Sequence, residues 1–249
     1  MELSNSSVGA AVIPKSQSPL QRLLGVFVSP RETFEDVAVR PNFWIPVIAM
    51  VVVYVVTGFF TIDLDLRHGL KIIRDMPMMK EEMIAKAEEG IEAEMNSPWR
   101  FSRLVTTVAF IGFSWIVVSS ISLLVGNVIL GGEAKFKTIF SITAWAYLIT
   151  LVERIVKTIL GLAKDSKEVV TSLAVFKPLD EAKTLGFNLL NRFDVFTIWY
   201  LMVYIIGISA VYKFSAGKST AMVVSLWLLG SAIFLSINQL FGGAFTFSW

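Results

Sequence analysis

The chain has 249 residues, 55% of them hydrophobic, with 22 Lys and Arg against 20 Asp and Glu. It has no Cys and one His, which excludes disulfides, Cys nucleophiles and His-clustered metal sites, and its net charge of +2 gives no support for nucleic-acid binding. The mean hydropathy of +0.67 and several uncharged runs of about 20 residues place the chain in the membrane class.

The chain begins with an amphipathic lead-in to the membrane. Residues 1–16 predict a flexible tail. The following apolar residues recur at helical spacing, which predicts a helix that lies in the membrane interface or packs on the protein's own spans: Leu20, Leu23, Leu24 and Phe27. Ser29 and Glu32 have the spacing of a capping box, which predicts a second short helix with Asp36 on its polar face. The Arg-Pro step at 40–41 ends this helix.

Five predominantly apolar runs, four of them free of charged residues, predict five membrane spans. The first run opens with Phe43 and Trp44, an aromatic pair that suits the headgroup boundary. The stretch 162–193 mixes charged and apolar residues and does not predict a sixth span. The approximate limits of the five spans are 42–61, 104–130, 136–157, 195–212 and 220–240. We therefore predict an all-α membrane protein with five transmembrane helices, an amphipathic N-terminal interfacial helix and amphipathic loop helices.

A charged helical loop, 62–102, separates the first two spans. Within it, every fourth position is apolar, which predicts a slowly slanting stripe on a helix: Met79, Met83, Ala87, Ile91 and Met95. Glu residues dominate the other faces, so an anionic lipid surface does not suit this helix. Packing on the protein's own bundle is the favoured interpretation, and docking on a partner is the alternative, for which adaptable Met side chains are suited.

Four polar residues form a candidate intramembrane polar site: Glu153, Arg154, Asn238 and Gln239. Ionisable residues at membrane depth often serve as ion or proton relays. A span that begins at Phe136 reaches the far boundary near residue 153, so boundary side chains that snorkel are the favoured interpretation for the ionisable pair. For the two amides, interhelical hydrogen bonds are commoner than ion coordination.

No motif in the sequence predicts catalysis. A single His provides neither a His-Glu-x-x-His helix nor a good partner for a Ser nucleophile, and no Gly-x-x-x-x-Gly-Lys-Ser/Thr loop is present. We therefore expect no catalytic residues, no metal and no cofactor.

The stretch LLGVFVSPRETFEDVAVRPNFWIPV resembles the prokaryotic branch of the Yip1 family. The shared elements are a Ser/Thr-Pro-x-x-x-Phe element, an Arg/Lys-Pro step, a Trp and a Pro that leads into the first span: Ser29, Pro30, Phe34, Arg40, Pro41, Trp44 and Pro46. Two later stretches, GGEAKFKTIFSITAWAYLI and NRFDVFTIWYLMVYIIGISAVYKFSAGKS, are similar to the family's third and fourth spans. The resemblance implies one Yip1-like membrane domain over residues 17–249.

The resemblance also implies a multi-pass protein of the prokaryotic cytoplasmic (inner) membrane with a cytoplasmic N-terminus. Two counts of basic residues disagree on this orientation, because the raw count over all loops favours the reverse. The short loops favour a cytoplasmic N-terminus through Lys135, Lys137, Lys213 and Lys218.

The expected function is the binding of other membrane proteins. Prokaryotic relatives include accessory partners of export machinery, so the resemblance implies an accessory subunit of transport or trafficking machinery, bound to an export complex or to a copy of itself. The Asp-Leu-Tyr-Gly-Pro element of eukaryotic relatives is absent, so their role with Rab GTPases is not implied. The alternative is a small-solute or ion transporter or channel with a polar path near Glu153 and Asn238.

Overall fold

The computed structural model describes residues 16–76, 79–243 and 245, and within them the protein is all-α and has no β-strand. The predicted flexible tail, apart from Ser16, lies outside the described residues. The α-helices of this part of the chain are α1 (Pro19–Val28), α2 (Pro30–Val39), α3 (Trp44–Asp75), α4 (Glu81–Met95), α5 (Ser102–Leu124), α6 (Phe136–Ala146), α7 (Leu148–Lys164), α8 (Leu185–Asn191), α9 (Val195–Tyr212) and α10 (Ala216–Leu240).

Five helical units are long and apolar enough to cross a membrane, which confirms the predicted fold class. The fourth unit, α9, has the limits that hydropathy predicts. The first unit, α3, continues beyond the predicted end at 61 as far as Asp75. The second unit is α5 flanked by a 3₁₀ turn and a π-helical turn, the third is α6 followed by α7, and the fifth is α10.

The third unit occupies the centre of the bundle. In its most apolar 18-residue stretch 61% of the residues are buried, against 22% in the corresponding stretches of the second and fifth units, and most of its first helix is inaccessible to solvent. The side chains that form this centre include Ile139, Ile142, Trp145 and Ile149. Because five spans alternate in direction, the lead-in and the loops at 130–135 and 213–215 share one side, which we call the N-terminal side. The helix α4 and residues 165–194 lie on the opposite side.

The first helix begins with a capping box that the sequence analysis did not identify. The Ser18 hydroxyl accepts a hydrogen bond from the Gln21 amide, and the Gln21 side chain accepts one from the Ser18 amide at 2.8 Å. The predicted box at Ser29 and Glu32 is wrong, because the Ser29 side chain makes no capping bond. Ser29 is the C-cap of α1, where its N–H donates to the Gly25 carbonyl, and it is also the N-cap of α2. Its own carbonyl accepts a hydrogen bond from the Thr33 hydroxyl at 3.1 Å.

The helices α1 and α2 form a hairpin that runs along α9. The rings of Phe27 and Trp199 lie 5.9 Å apart, and Phe34 packs against Gly207. These two positions on α9 are separated by about 12 Å of helix axis, at 1.5 Å per residue. The buried face of the lead-in therefore packs on the protein's own spans. The opposite face of α1 remains exposed at Leu20, Leu24 and Val28.

Candidate functional site

The ionisable residues of α7 form a buried network with the start of α9. The Lys157 ammonium lies 2.5 Å from a Glu153 carboxylate oxygen and 3.2 Å from an Asp194 carboxylate oxygen. Asp194 is also the N-cap of α9 and accepts a hydrogen bond from the Thr171 hydroxyl. One cation thus joins two acids from two spanning units.

Arg154 connects α7 to the first span. Its Nε donates a hydrogen bond to the Thr57 hydroxyl at 3.1 Å, and its guanidinium lies 5.1 Å from the centre of the Tyr54 ring. At the same contact between α3 and the start of α7, the Tyr54 and Tyr147 hydroxyls form a hydrogen bond of 3.1 Å. Arg154 is 7% exposed, so the interpretation that it snorkels to the headgroups is wrong. The cause is that α7 continues to Lys164 and turns this polar face towards α3.

A second group of charges extends this network towards the opposite side of the membrane. Lys167 forms an ion pair with Asp65, which also accepts a hydrogen bond from the Thr61 hydroxyl at 2.9 Å. Burial lowers the pKa of the Lys167 ammonium, and the Asp65 carboxylate opposes that shift. The last part of α3 is therefore held by the segment that follows α7, and Arg67 and Asp165 add an ion pair of 2.7 Å there.

A cavity of about 430 Å³ lies between α3, α5 and α7 beside these charges. Two arginines of different spans, Arg103 and Arg154, line it together with Asp65. Arg103 is paired with Glu94 of α4, so the charged loop helix reaches the rim of this cavity. The remaining lining residues are Tyr54, Ile62, Leu104, Thr106 and Thr107. No group of three or more His, Asp or Glu side chains that could hold a metal occurs in the described ranges.

The two predicted amides lie in a different contact. Asn238 is fully buried, donates a hydrogen bond to Asn188 at 3.2 Å and accepts one from the Phe245 amide at 2.9 Å. Gln239 is exposed. Neither residue lines the cavity beside Arg154, so the structure does not bring the four predicted polar residues together.

The residues that carry the family resemblance position the hairpin and the entry to the first span. Phe34 is fully buried, Pro46 is buried in the first turns of α3, and Trp44 is 63% exposed. The Asn42 carbonyl, between Pro41 and Trp44, accepts a hydrogen bond from the Trp145 indole N–H at 2.6 Å. These contacts fix the elbow where the chain enters its first span. The other members of the motif, Ser29, Pro30 and Arg40, lie at the two ends of α2.

Sequence analysis missed the buried acid of α2. Asp36, predicted on the polar face, is 0% exposed. Its carboxylate accepts hydrogen bonds from the Arg22 guanidinium at 2.7 Å, from the backbone N–H of Gln17 at 3.2 Å and from the Arg40 guanidinium. A signal was available in the sequence, because Asp36 lies four residues before Arg40, a spacing at which opposite charges meet on a helix.

The methionine stripe is divided between packed and exposed positions. Ile91 is buried and packs with Met95 against Ile62 and Leu66 of α3. Met83, by contrast, is 51% exposed. Met79 and Ala87 are half-buried. The C-terminal half of α4 therefore contacts the protein's own bundle, and the N-terminal half leaves apolar surface open.

The two sides of the membrane differ in how their cations are paired. On the opposite side most cations have an acidic partner within ion-pair distance: Arg67, Lys71, Arg74, Arg100, Arg103, Lys167, Lys177 and Lys183. On the N-terminal side four lysines make no ion pair with any described residue: Lys135, Lys137, Lys213 and Lys218. On the opposite side Lys80, Lys86, Lys164 and Arg192 also make no ion pair with a described residue, so the two sides differ in the share of their cations that is paired and not in the number of unpaired ones.

Comparison with known proteins agrees with this architecture. Residues 24–237 match the family model described as the Yip1 domain, a range that includes the elbow and all five spans apart from the last three residues of α10. The chain is similar to "Membrane protein YknW" of Bacillus subtilis (strain 168), with 23% identity over 226 residues that cover 86% of this chain and 88% of that protein. No solved structure matches the chain. Since the family model spans well over half of its length, the chain belongs to the Yip1 family of membrane proteins.

Proposed function

We propose that this protein has no enzymatic activity and acts by binding other membrane proteins, as an accessory subunit of transport or trafficking machinery. The observation that carries this proposal is a set of exposed apolar side chains beyond the ends of the spans, between residues 173 and 189. Exposed apolar patches of this kind mark interaction sites. The set, which we call the outer apolar surface, consists of Leu173, Val175, Phe176, Leu179, Leu185 and Leu189.

The outer apolar surface is held in place by contacts to α3 and α10 and by packing within its own segment. Lys183 forms an ion pair of 2.9 Å with Asp75 at the end of α3. Asn188 of α8 bonds to Asn238 of α10, and Ala174 and Phe187 pack together beneath the exposed residues. A surface that is already ordered loses little entropy when a partner binds, which favours a binding function.

The buried charges support a bracing role for the polar network. Glu153 and Asp194 share Lys157, and Asp65 holds Lys167, so these ionisable groups already have opposite charges as partners. A relay needs groups that exchange partners, whereas these contacts join α3, α7 and α9. We therefore propose that the network keeps the bundle rigid beneath its binding surfaces.

A probe for the partner can be placed on the outer apolar surface. We expect a photoreactive residue at Phe176, which is 84% exposed, to give a protein adduct of discrete mass in native membranes. The same residue at Phe110, 72% exposed on the spanning helix α5, is the control and should give lipid adducts. Mass spectrometry distinguishes the two products. Lipid adducts alone at both positions would mean that the outer apolar surface rests on the bilayer, and the proposal would then fail.

We also propose that the N-terminal side faces the cytoplasm of a prokaryotic cell, in its cytoplasmic membrane. The short loops of that side support this orientation through Lys135, Lys137, Lys213 and Lys218, because Lys and Arg in short loops are retained in the cytoplasm. The chain has no Cys, so single cysteines report on sidedness. In intact cells, an impermeant thiol reagent should label a cysteine at Ala85 of α4 and leave one at Lys135 unlabelled. The reverse labelling pattern would invert the topology.

Transport remains the second candidate, and the 430 Å³ cavity beside Arg154 is the observation that favours it. A transporter must move its substrate in vesicles that contain this chain alone. Flux that is abolished by Arg154→Gln, in the lining of this cavity, would favour transport over the binding function. The sequence predicts a polar path near Glu153 and Asn238. Neither residue lines this cavity, and Asn238 instead contacts Asn188, so the cavity suggests a different route.

A further inference from the structure

A second cavity, of about 490 Å³, lies on the N-terminal side between the hairpin and the entry to the first span. It is bounded by the start of α1, the elbow at Pro41, the first turn of α3 and the first turn of α6. Its lining includes three cations from three different segments, Arg22, Arg40 and Lys137. The only other polar side chains in its lining are the uncharged amides of Gln17 and Asn42.

The positive charge around this cavity exceeds the negative charge. The two arginines share a single carboxylate, that of Asp36, and Arg22 also donates a hydrogen bond to the Arg40 carbonyl at 3.1 Å. Lys137 makes no ion pair with any residue that the structure describes. Among the described residues at this cavity, three cations against one acid leave a local charge of +2. An anion is therefore the ligand that complements this cavity.

The cavity lies next to lipid-facing surface. Ile45 lines it, and the adjacent positions Trp44 and Ile48 on α3 are 63% and 59% exposed. A Trp at the start of a span marks the level of the headgroups. An anion that also carries acyl chains could therefore place its charge among the cations and its chains along α3.

We propose that this cavity binds the phosphate of an anionic phospholipid headgroup at the cytoplasmic-membrane boundary. Arg40 and Lys137 provide donors for the phosphate oxygens, and Arg22, held by Asp36, supplies positive charge behind them. Lys137 belongs to α6, while the arginines belong to the hairpin and the elbow. A bound headgroup would therefore join the hairpin to the central unit of the bundle.

The test uses the full-length protein in a neutral detergent, with lipid binding measured by native mass spectrometry. We expect phosphatidylglycerol to bind more tightly than phosphatidylcholine. Lys137→Gln should weaken phosphatidylglycerol binding about fivefold, the effect of one basic residue near an anionic headgroup. The matched control is Lys135→Gln, because Lys135 lies two residues away and does not line the cavity. This control should change the affinity by less than about twofold.

Several outcomes would overturn the proposal. Equal affinities for the anionic and the zwitterionic lipid would show that headgroup charge is not recognised. Equal losses in the Lys137→Gln and Lys135→Gln proteins would place the lipid on the general basic surface. The third comparison uses inorganic phosphate. If millimolar phosphate displaces phosphatidylglycerol and raises the melting temperature of the protein as much as phosphatidylglycerol does, the site binds a soluble phosphate and not a lipid. Melting of both variants without lipid should match the native protein, since neither lysine has an ion-pair partner among the described residues.

Discussion

Replacement of Asp36 with Asn is expected to lower the free energy of unfolding by about 3 to 5 kcal/mol, the usual cost of removing one partner from a buried ion pair. The carboxylate is 0% exposed and neutralises Arg22, which is itself 7% exposed. An amide at this position would leave the guanidinium buried without a counter-charge. The measurement is thermal unfolding of the purified protein in detergent. Glu35→Gln is the control, because its pair with Arg31 lies on the surface and contributes about 0 to 1 kcal/mol.

The same variant should change the response to acid. Burial alone would raise the pKa of the Asp36 carboxyl, but hydrogen bonds from Arg22 and Arg40 lower it below its usual value of 3.8. A carboxyl whose pKa is lower in the folded chain stabilises the fold above its unfolded pKa, and this contribution is lost as the pH falls through the folded pKa. Stability of the native protein should therefore fall more steeply below about pH 3.8 than that of Asp36→Asn. Parallel acid curves would mean that the carboxylate does not hold the hairpin.

Replacement of Lys157 with Met should have an effect of similar size, about 3 to 5 kcal/mol. The ammonium lies between the carboxylates of Glu153, which is partly buried, and Asp194, which is buried, and its loss would leave both acids without a cation. Adding Glu153→Gln should recover part of the loss, because one acid would then remain. Thermal unfolding in detergent measures both variants.

The control for this prediction is Lys164→Met at the end of the same helix. Lys164 is exposed and forms no ion pair with a described residue, so its replacement should leave the unfolding temperature nearly unchanged. If the two single variants unfold alike, Lys157 does not brace α7 against α9. Failure of the double variant to improve on Lys157→Met would locate the damage in the packing of the Lys157 side chain and not in the two acids.

Hydropathy located the spans well because it measures the property that a bilayer selects. The limits of α9 agree with the sequence at both ends, since Asp194 interrupts the apolar run and caps the helix. The same argument cannot locate the end of α3, because its last turns lie beyond the apolar run. They are held by ion pairs from Asp65 and Arg67 to the segment after α7, a hundred residues away in the chain.

The polar residues were less predictable, because their positions depend on partners that are distant in sequence. Arg154 is buried because its guanidinium bonds to the Thr57 hydroxyl and packs over the Tyr54 ring, both on α3. No sequence pattern within α7 identifies these partners. Ser29 has a suitable capping sequence, yet it serves as the end of one helix and the start of the next, and its side chain does not cap. Periodicity placed Asp36 among the acids of α2, while Arg22 of the preceding helix determines its burial.

The packing of the hairpin on α9 has a consequence for how the protein is made. The helix α2 ends at Val39, but its partner α9 begins at Val195, so roughly 155 residues are synthesised between them. At typical translation rates of 5 to 20 residues per second, this interval is on the order of 10 to 30 s. During that time α2 can pack on α1 and, once Phe136–Ala146 has been made, on α6, but the surface of Phe34 that packs against Gly207 has no native partner. The hairpin is thus synthesised well before the helix that completes its native contacts.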